Sequence, residues 1–156
     1  MDMDGVFRAA TETVEAMWAT DPEDHLFRRD GWPRDSCERV AVAVAAVLED
    51  RGFGQWAFVS RGRVGGGSGH AWLEWRGQDA ALLASIDLTL HQFDAWAEPF
   101  MGRGPTPATK VFTEPRWEGV IWKWPYLGSE QQTYRRLIRA VRDRLDASNQ
   151  ASSSPA

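Results

Sequence analysis

One cysteine, Cys37, stands in "RDSCERVAVAV", directly before an apolar stretch of helical period. A sulfur at a helix start meets unpaired backbone N–H groups and the positive end of the macrodipole, and both favour the thiolate, the attacking form of cysteine. Cys37 also lies three residues before Val40 and seven before Val44, on the stripe such a helix buries, so an inert packed thiol is the competing reading. Its prospective partners decide between the two. His70 follows the glycine-rich "GGGSG" and opens "HAWLEW", whose period of two predicts a strand. Asp87, in "ASIDLTLHQF", is an ionisable group amid apolar residues and needs a partner if covered. A hairpin between these strands would lay the Asp87 carboxylate against the His70 ring, orient it, and leave the second ring nitrogen for a thiol. Thiol, imidazole and carboxylate in that order follow the logic of a nucleophile, a proton carrier and an orienting acid.

Other residues compete for these roles. Glu74 shares a strand face with His70 and is an alternative acid, although same-strand neighbours two apart splay away from each other. His91 is an alternative base beyond the strand. Gln92, the Trp32 indole N–H or the backbone N–H of Cys37 could stabilise an oxyanion. Trp32 and Trp72 could wall a cleft, core packing being the plainer use of Trp72. Zinc held by Cys37, His70 and Asp87 is chemically conceivable, but three ligands from three separated segments carry no spacing signature, and no metal or other cofactor is assigned. "RGRVGGGSGH" lacks the Gly-Lys-Ser/Thr ending of a phosphate loop and leads into a strand, so it reads as a mobile loop beside the site.

The elements that must position these side chains follow from periodicity. Val6, Ala10, Val14, Met17 and Trp18 predict a first helix ending near Asp21-Pro22. Asp35 with Glu38 has the form of a capping box opening the second helix, which Gly52 and Gly54 stop. Strands are predicted in "QWAFVSRGRV", "HAWLEW" and "ASIDLTLHQF", with a turn at Gln78-Asp79; Ile86, Leu88 and Leu90 should face one way, Ser85, Asp87 and Thr89 the other. The proline-punctuated "MGRGPTPATK" then separates these strands from two shorter strand candidates around "KVFTE" and "GVIWKW". A second capping box, Ser129 with Gln132, opens a last helix striped by Tyr134, Leu137, Ile138, Val141 and Leu145. Residues 1–147 thus form one domain and 148–156 a tail that composition marks as disordered. Helices and strands are segregated, which makes the class α+β.

"SCERVAVAVAAVLEDRGF", "GHAWLEW" and "SIDLT" together resemble the papain-like fold in its transglutaminase-like branch, over roughly Trp32 to Phe93. The spacing is also similar to that of the small leader peptidases of lasso-peptide biosynthesis within that branch. The resemblance implies a central N-terminal helix packed on an antiparallel sheet, with a C-terminal helix. It implies Cys37 as nucleophile, His70 as general base and acid, and Asp87 as the orienting carboxylate. The expected activity is cysteine-dependent acyl transfer, as hydrolysis of a peptide or carboxamide bond (peptidase, amidase or deamidase). An acyltransferase or amide-forming tailoring enzyme, and a non-catalytic binding module on the same scaffold, are the alternatives.

Composition sets the outer limits. The chain has 156 residues, 43% of them hydrophobic and 26% charged, an ordinary globular mix. A net charge of −4 argues against a surface that neutralises phosphates, so no nucleic-acid partner is expected. One cysteine allows neither an internal disulfide nor a cysteine-rich zinc site. The acidic, amphipathic start has no signal-peptide form and no apolar run is long enough for a membrane span, so a cytoplasmic protein acting on a peptide, a protein or a small amide is expected.

Overall fold

The computed structural model describes residues 1–21, 27, 29–128 and 132–154. Among these described residues are three helices and one open, antiparallel sheet of five strands, an α+β arrangement. Helix α1 spans Met3–Trp18, with Asp2 as its N-cap accepting from Gly5 N–H at 2.9 Å. It closes at Trp18, short of the expected Asp21-Pro22, and Ala19 N–H returns to Ala16 O.

Helix α2, Cys37–Asp50, is the centre of the molecule, and every residue from Val40 to Leu48 is buried. A helix apolar all round must be covered all round. The sheet covers one side of α2 while α1 and α3, Thr133–Ser153, cover the others. Alternating valine and alanine keep α2 thin enough for those neighbours to approach. Its C-terminus is closed by a Schellman motif: Gly52, at φ +77°, donates to Glu49 O at 3.0 Å and Phe53 to Leu48 O at 2.9 Å.

The strands are β1 Ala57–Gly62, β2 His70–Arg76, β3 Leu82–Asp87, β4 Phe100–Arg103 and β5 Glu114–Gly119, in the order β4-β3-β2-β1-β5. Ala71 and Leu73 of β2 join the core under α2, whereas Trp72 joins a second cluster with Val59, Leu90, Ala108 and Phe112 on the other face. Leu73 pairs with Ile86 and Glu74 with Ser85 across β2 and β3. Continued one step, that register sets Asp87 opposite Trp72 and diagonal to His70, within reach of long side chains.

Several expectations need correction. The third strand does not run to Phe93. It ends at Asp87, the chain turns, and Leu90–Gln92 form a short 3-10 helix. Asp87 is therefore terminal rather than central in its strand, and Leu90 packs in the second cluster, away from Ile86 and Leu88. The proline-punctuated segment contributes β4 through Phe100–Arg103, because glycine and proline stop a strand only from Gly104 onward, at φ +76°. "KVFTE" and "GVIWKW" bracket β5 instead of forming two strands, and Ile121–Lys123 is a 3-10 turn.

The expected disordered tail is helical as far as Ser153. Ser148, Ser152 and Ser153 each return a hydroxyl to the carbonyl four residues earlier, at 2.8–3.0 Å, which supplies local satisfaction where packing is absent. Of the second capping box, Ser129 lies outside the described residues, and Gln132 sits at φ +63° without a capping side-chain bond. Among the described residues no helix is long and apolar enough to cross a membrane.

Candidate active site

Cys37 is the first residue of α2 and is half-buried. The N-cap is Ser36, not Asp35. Asp35 takes φ +54°, and Ser36 turns its hydroxyl to Arg34 O at 3.1 Å, so it forms no capping side-chain bond. The capping box fails at its other end too, because the Glu38 carboxylate accepts from the Tyr134 hydroxyl at 2.7 Å. The helix begins with the Val40 N–H to Ser36 O bond at 2.9 Å, which leaves first-turn donors beside the thiol with no side-chain cap.

His70 is 1% exposed. Its Nε2 lies 2.9 Å from Oδ1 and 3.0 Å from Oδ2 of Asp87, which is equally buried. The other ring nitrogen, Nδ1, is 3.3 Å from the Gln92 amide. Phe93 stands edge-on to the ring at 5.0 Å and Phe112 is tilted against it at 5.3 Å, which excludes water from the imidazole.

The electrostatics follow from this enclosure. Burial by itself would push the His70 pKa down; hydrogen bonds to Asp87 and to Cys37, with the charges of both, outweigh it and raise the pKa from 6.5 to about 9. The direction of the shift favours the protonated ring. Nε2 is committed to Asp87, and Nδ1 lies beside the Gln92 amide.

The structure brings Cys37, His70, Asp87 and Gln92 together and sets the other candidates apart. Glu74 is not the acid. Its Oε1 accepts from the Trp72 indole at 2.8 Å and its Oε2 pairs with Arg76, so it turns from His70 along the strand. Trp72, 1% exposed, packs in the second cluster rather than walling an open cleft. Trp32 is half-buried and meets Trp18, Phe27 and His91 edge-on at 6.0–6.1 Å, beside the turn that carries Gln92. His91 has its pKa lowered by burial, against the pull of Asp87, and its buried Nδ1 has no hydrogen-bond partner among the described residues. Among those residues no group of three His, Cys, Asp or Glu is arranged to hold a metal ion. Asp87 and Gln92 lie at opposite nitrogens of His70.

One residue escaped the sequence entirely. Thr106, fully buried, donates its hydroxyl to Asp87 Oδ2 at 2.9 Å and accepts from Ala108 N–H at 3.3 Å. The accepted bond sets the direction of the donated one, so Thr106 orients the acid that orients the histidine. A single Thr-Pro in a proline-rich stretch gives no sign of such a contact, nineteen residues away in the chain. Thr106→Val should keep the fold but cost about 1–2 kcal/mol, since a buried carboxylate oxygen loses a donor. Denaturant unfolding, with a pH titration of the His70 ring by NMR, checks this; a reduced stability with an unmoved ring pKa would confine Thr106 to packing.

Two grooves open at the end of the sheet where β2 begins. One, of about 510 Å³, is lined by Arg34, Asp35, Arg63, Gln92, Phe93 and Trp96 among others. The other, of about 720 Å³, lies along Glu38 and Arg39, immediately after Cys37, and along Trp117 of β5. Beneath Cys37 only about 10 Å³ of void remains among Val40, Val44, Leu73 and Ile86, so the sulfur caps a closed core. No family model, curated protein or solved structure was found to match this chain.

Proposed function

We propose that this protein is a cysteine-dependent acyl-transfer enzyme that hydrolyses a peptide or carboxamide bond, built on a papain-like scaffold of the transglutaminase-like branch. The observation that carries the reading is the buried His70–Asp87 bond, with Cys37 acting on the same ring. A buried ion pair is costly to form and weak evidence for stability, so its position beside a thiol at a helix start favours a chemical use.

In this reading the Cys37 proton resides on His70, and Sγ adds to the substrate carbonyl carbon. The oxyanion is held by the backbone N–H of Cys37, with the Gln92 amide alongside. His70 then gives its proton to the leaving nitrogen, the C–N bond breaks, and a thioester remains on Cys37. Water attacks the thioester, His70 takes its proton, and the C–S bond breaks to release the acid and the thiolate. Asp87 keeps Nδ1 aimed at the sulfur and stabilises the ring's charge throughout. Two grooves lined by the residues on either side of Cys37 in the chain, Arg34 and Asp35 in one and Glu38 and Arg39 in the other, suit an extended peptide or protein better than a small amide.

Incubation with p-nitrophenyl acetate tests the step without knowledge of the substrate. A stoichiometric burst of nitrophenolate is expected, with an acetyl group on Cys37 by mass spectrometry that turns over in water and is absent from Cys37→Ala. Acetylation no faster than that of the urea-unfolded chain contradicts the proposal. An adduct that persists in water yet passes to added amines would make the protein a transferase.

A further inference from the structure

We infer that the groove beside the first turn of α2 is a recognition site for a peptide segment that presents a carboxylate next to an aromatic side chain. Its wall is part cationic, part aromatic. Arg39 follows Cys37 by two residues, and its guanidinium lies over the Tyr134 ring, 5.6 Å from the centroid. The Nε of Arg39 is buried, yet no acceptor among the described residues satisfies it. A buried donor left unpaired in a groove wall is the place where a ligand oxygen repays most, because its desolvation is already complete.

Arg116, on β5, is the second cation. It gives one N–H to Gly67 O at 3.2 Å, which leaves most of its fork for other acceptors. Among the described residues no carboxylate forms an ion pair with Arg39 or Arg116. Among the described residues the one acid in the wall, Glu38, is engaged by the Tyr134 hydroxyl at 2.7 Å. Counted over the described residues, two arginines against one engaged acid make the wall locally positive on a chain whose net charge is −4. Its aromatic side is Trp117, half-buried, and Trp124 with Tyr126, whose rings meet at 5.5 Å. Tyr126 is 57% exposed, a large ring held at the surface. Arginine forks matched to carboxylate, beside the half-buried Trp117 and the exposed Tyr126, select an acidic residue adjoining an aromatic one.

That this segment belongs to the substrate rests on the acyl-transfer reading; that it binds does not. The test uses Cys37→Ser protein, in which nothing turns over, and three capped tetrapeptides that differ only in carrying Glu-Phe, Gln-Phe or Lys-Phe at the centre. Affinities come from calorimetry, with tryptophan fluorescence as a second signal. The Glu peptide should bind about tenfold tighter than the Lys peptide, and the advantage should shrink as salt rises. Arg39→Gln should remove the preference and Arg116→Glu should invert it, each variant being checked for folding by circular dichroism. Equal affinities, a preference for lysine, or no binding of any of the three overturns the inference. Charge selectivity without Cys37 acylation would leave the site standing and remove the enzyme; acylation without charge selectivity would do the reverse.

Discussion

Asp87→Ala should slow acylation of Cys37 on the order of 10²-fold or more and lower the unfolding temperature by about 10 °C. Both effects have one cause. The carboxylate meets Nε2 of His70 at 2.9 and 3.0 Å in a place with no measurable solvent access. Removing one partner of a buried pair leaves the other charge unpaired, which costs about 3–5 kcal/mol. The ring would then give up its proton and turn freely between Phe93 and Phe112. Asp87→Asn separates the two consequences: an amide keeps the shape and one hydrogen bond but not the charge, so stability should partly return while the acylation rate stays low. Stopped-flow acylation and thermal unfolding measure the pair of effects. A full-rate Asp87→Ala protein would mean that the carboxylate serves the fold alone.

The second large effect is a dependence of stability on pH that runs opposite to acid denaturation. The His70 pKa is raised from 6.5 to about 9, so the folded protein binds this proton more tightly than the unfolded chain does. Its contribution is whole below pH 6.5, declines above it, and is lost once the pH passes about 9. A shift of this size corresponds to about 3 kcal/mol. Denaturant unfolding between pH 6 and pH 10 should show the fall, and His70→Gln should flatten most of it. The same titration removes the proton destined for the leaving nitrogen, so acylation by an amide should fade on the alkaline side while direct alkylation of the thiol does not. A stability that stays level from pH 6 to pH 10 would contradict the enclosed imidazolium.

The parts of the site legible in the sequence are those that local pattern controls. The period of two in "HAWLEW" puts His70 and Trp72 on one face and Ala71 and Leu73 on the other, and the structure follows it: Ala71 and Leu73 join the core under α2, Trp72 joins the second cluster, and the His70 ring packs against Trp72 and Phe112. A short hairpin between β2 and β3 then leaves Asp87 few places to go except near His70. The stripe that carries Val40 and Val44 reads as the buried face of a helix, and the burial of its other sides comes from α1 and α3 closing over them.

What was misread depends on contacts distant in the chain. Asp35 and Glu38 have capping residue types, but Glu38 is claimed by Tyr134 ninety-six residues later, and Ser36 becomes the cap. "LTLHQF" alternates as a strand should, yet the chain turns after Asp87 and carries Gln92 back to Nδ1 of His70. Thr106 and the groove arginines carry no local signal, because a hydroxyl or a guanidinium acquires its meaning only from what the fold sets beside it.

The most direct measurement is the second-order rate of Cys37 alkylation by iodoacetamide at pH 7, in the folded protein and in urea. Paired with His70, the folded thiol should react more than about tenfold faster than the unfolded one, and His70→Gln should abolish the difference. A folded thiol that reacts no faster than the unfolded one, or that ignores the loss of His70, would contradict the account.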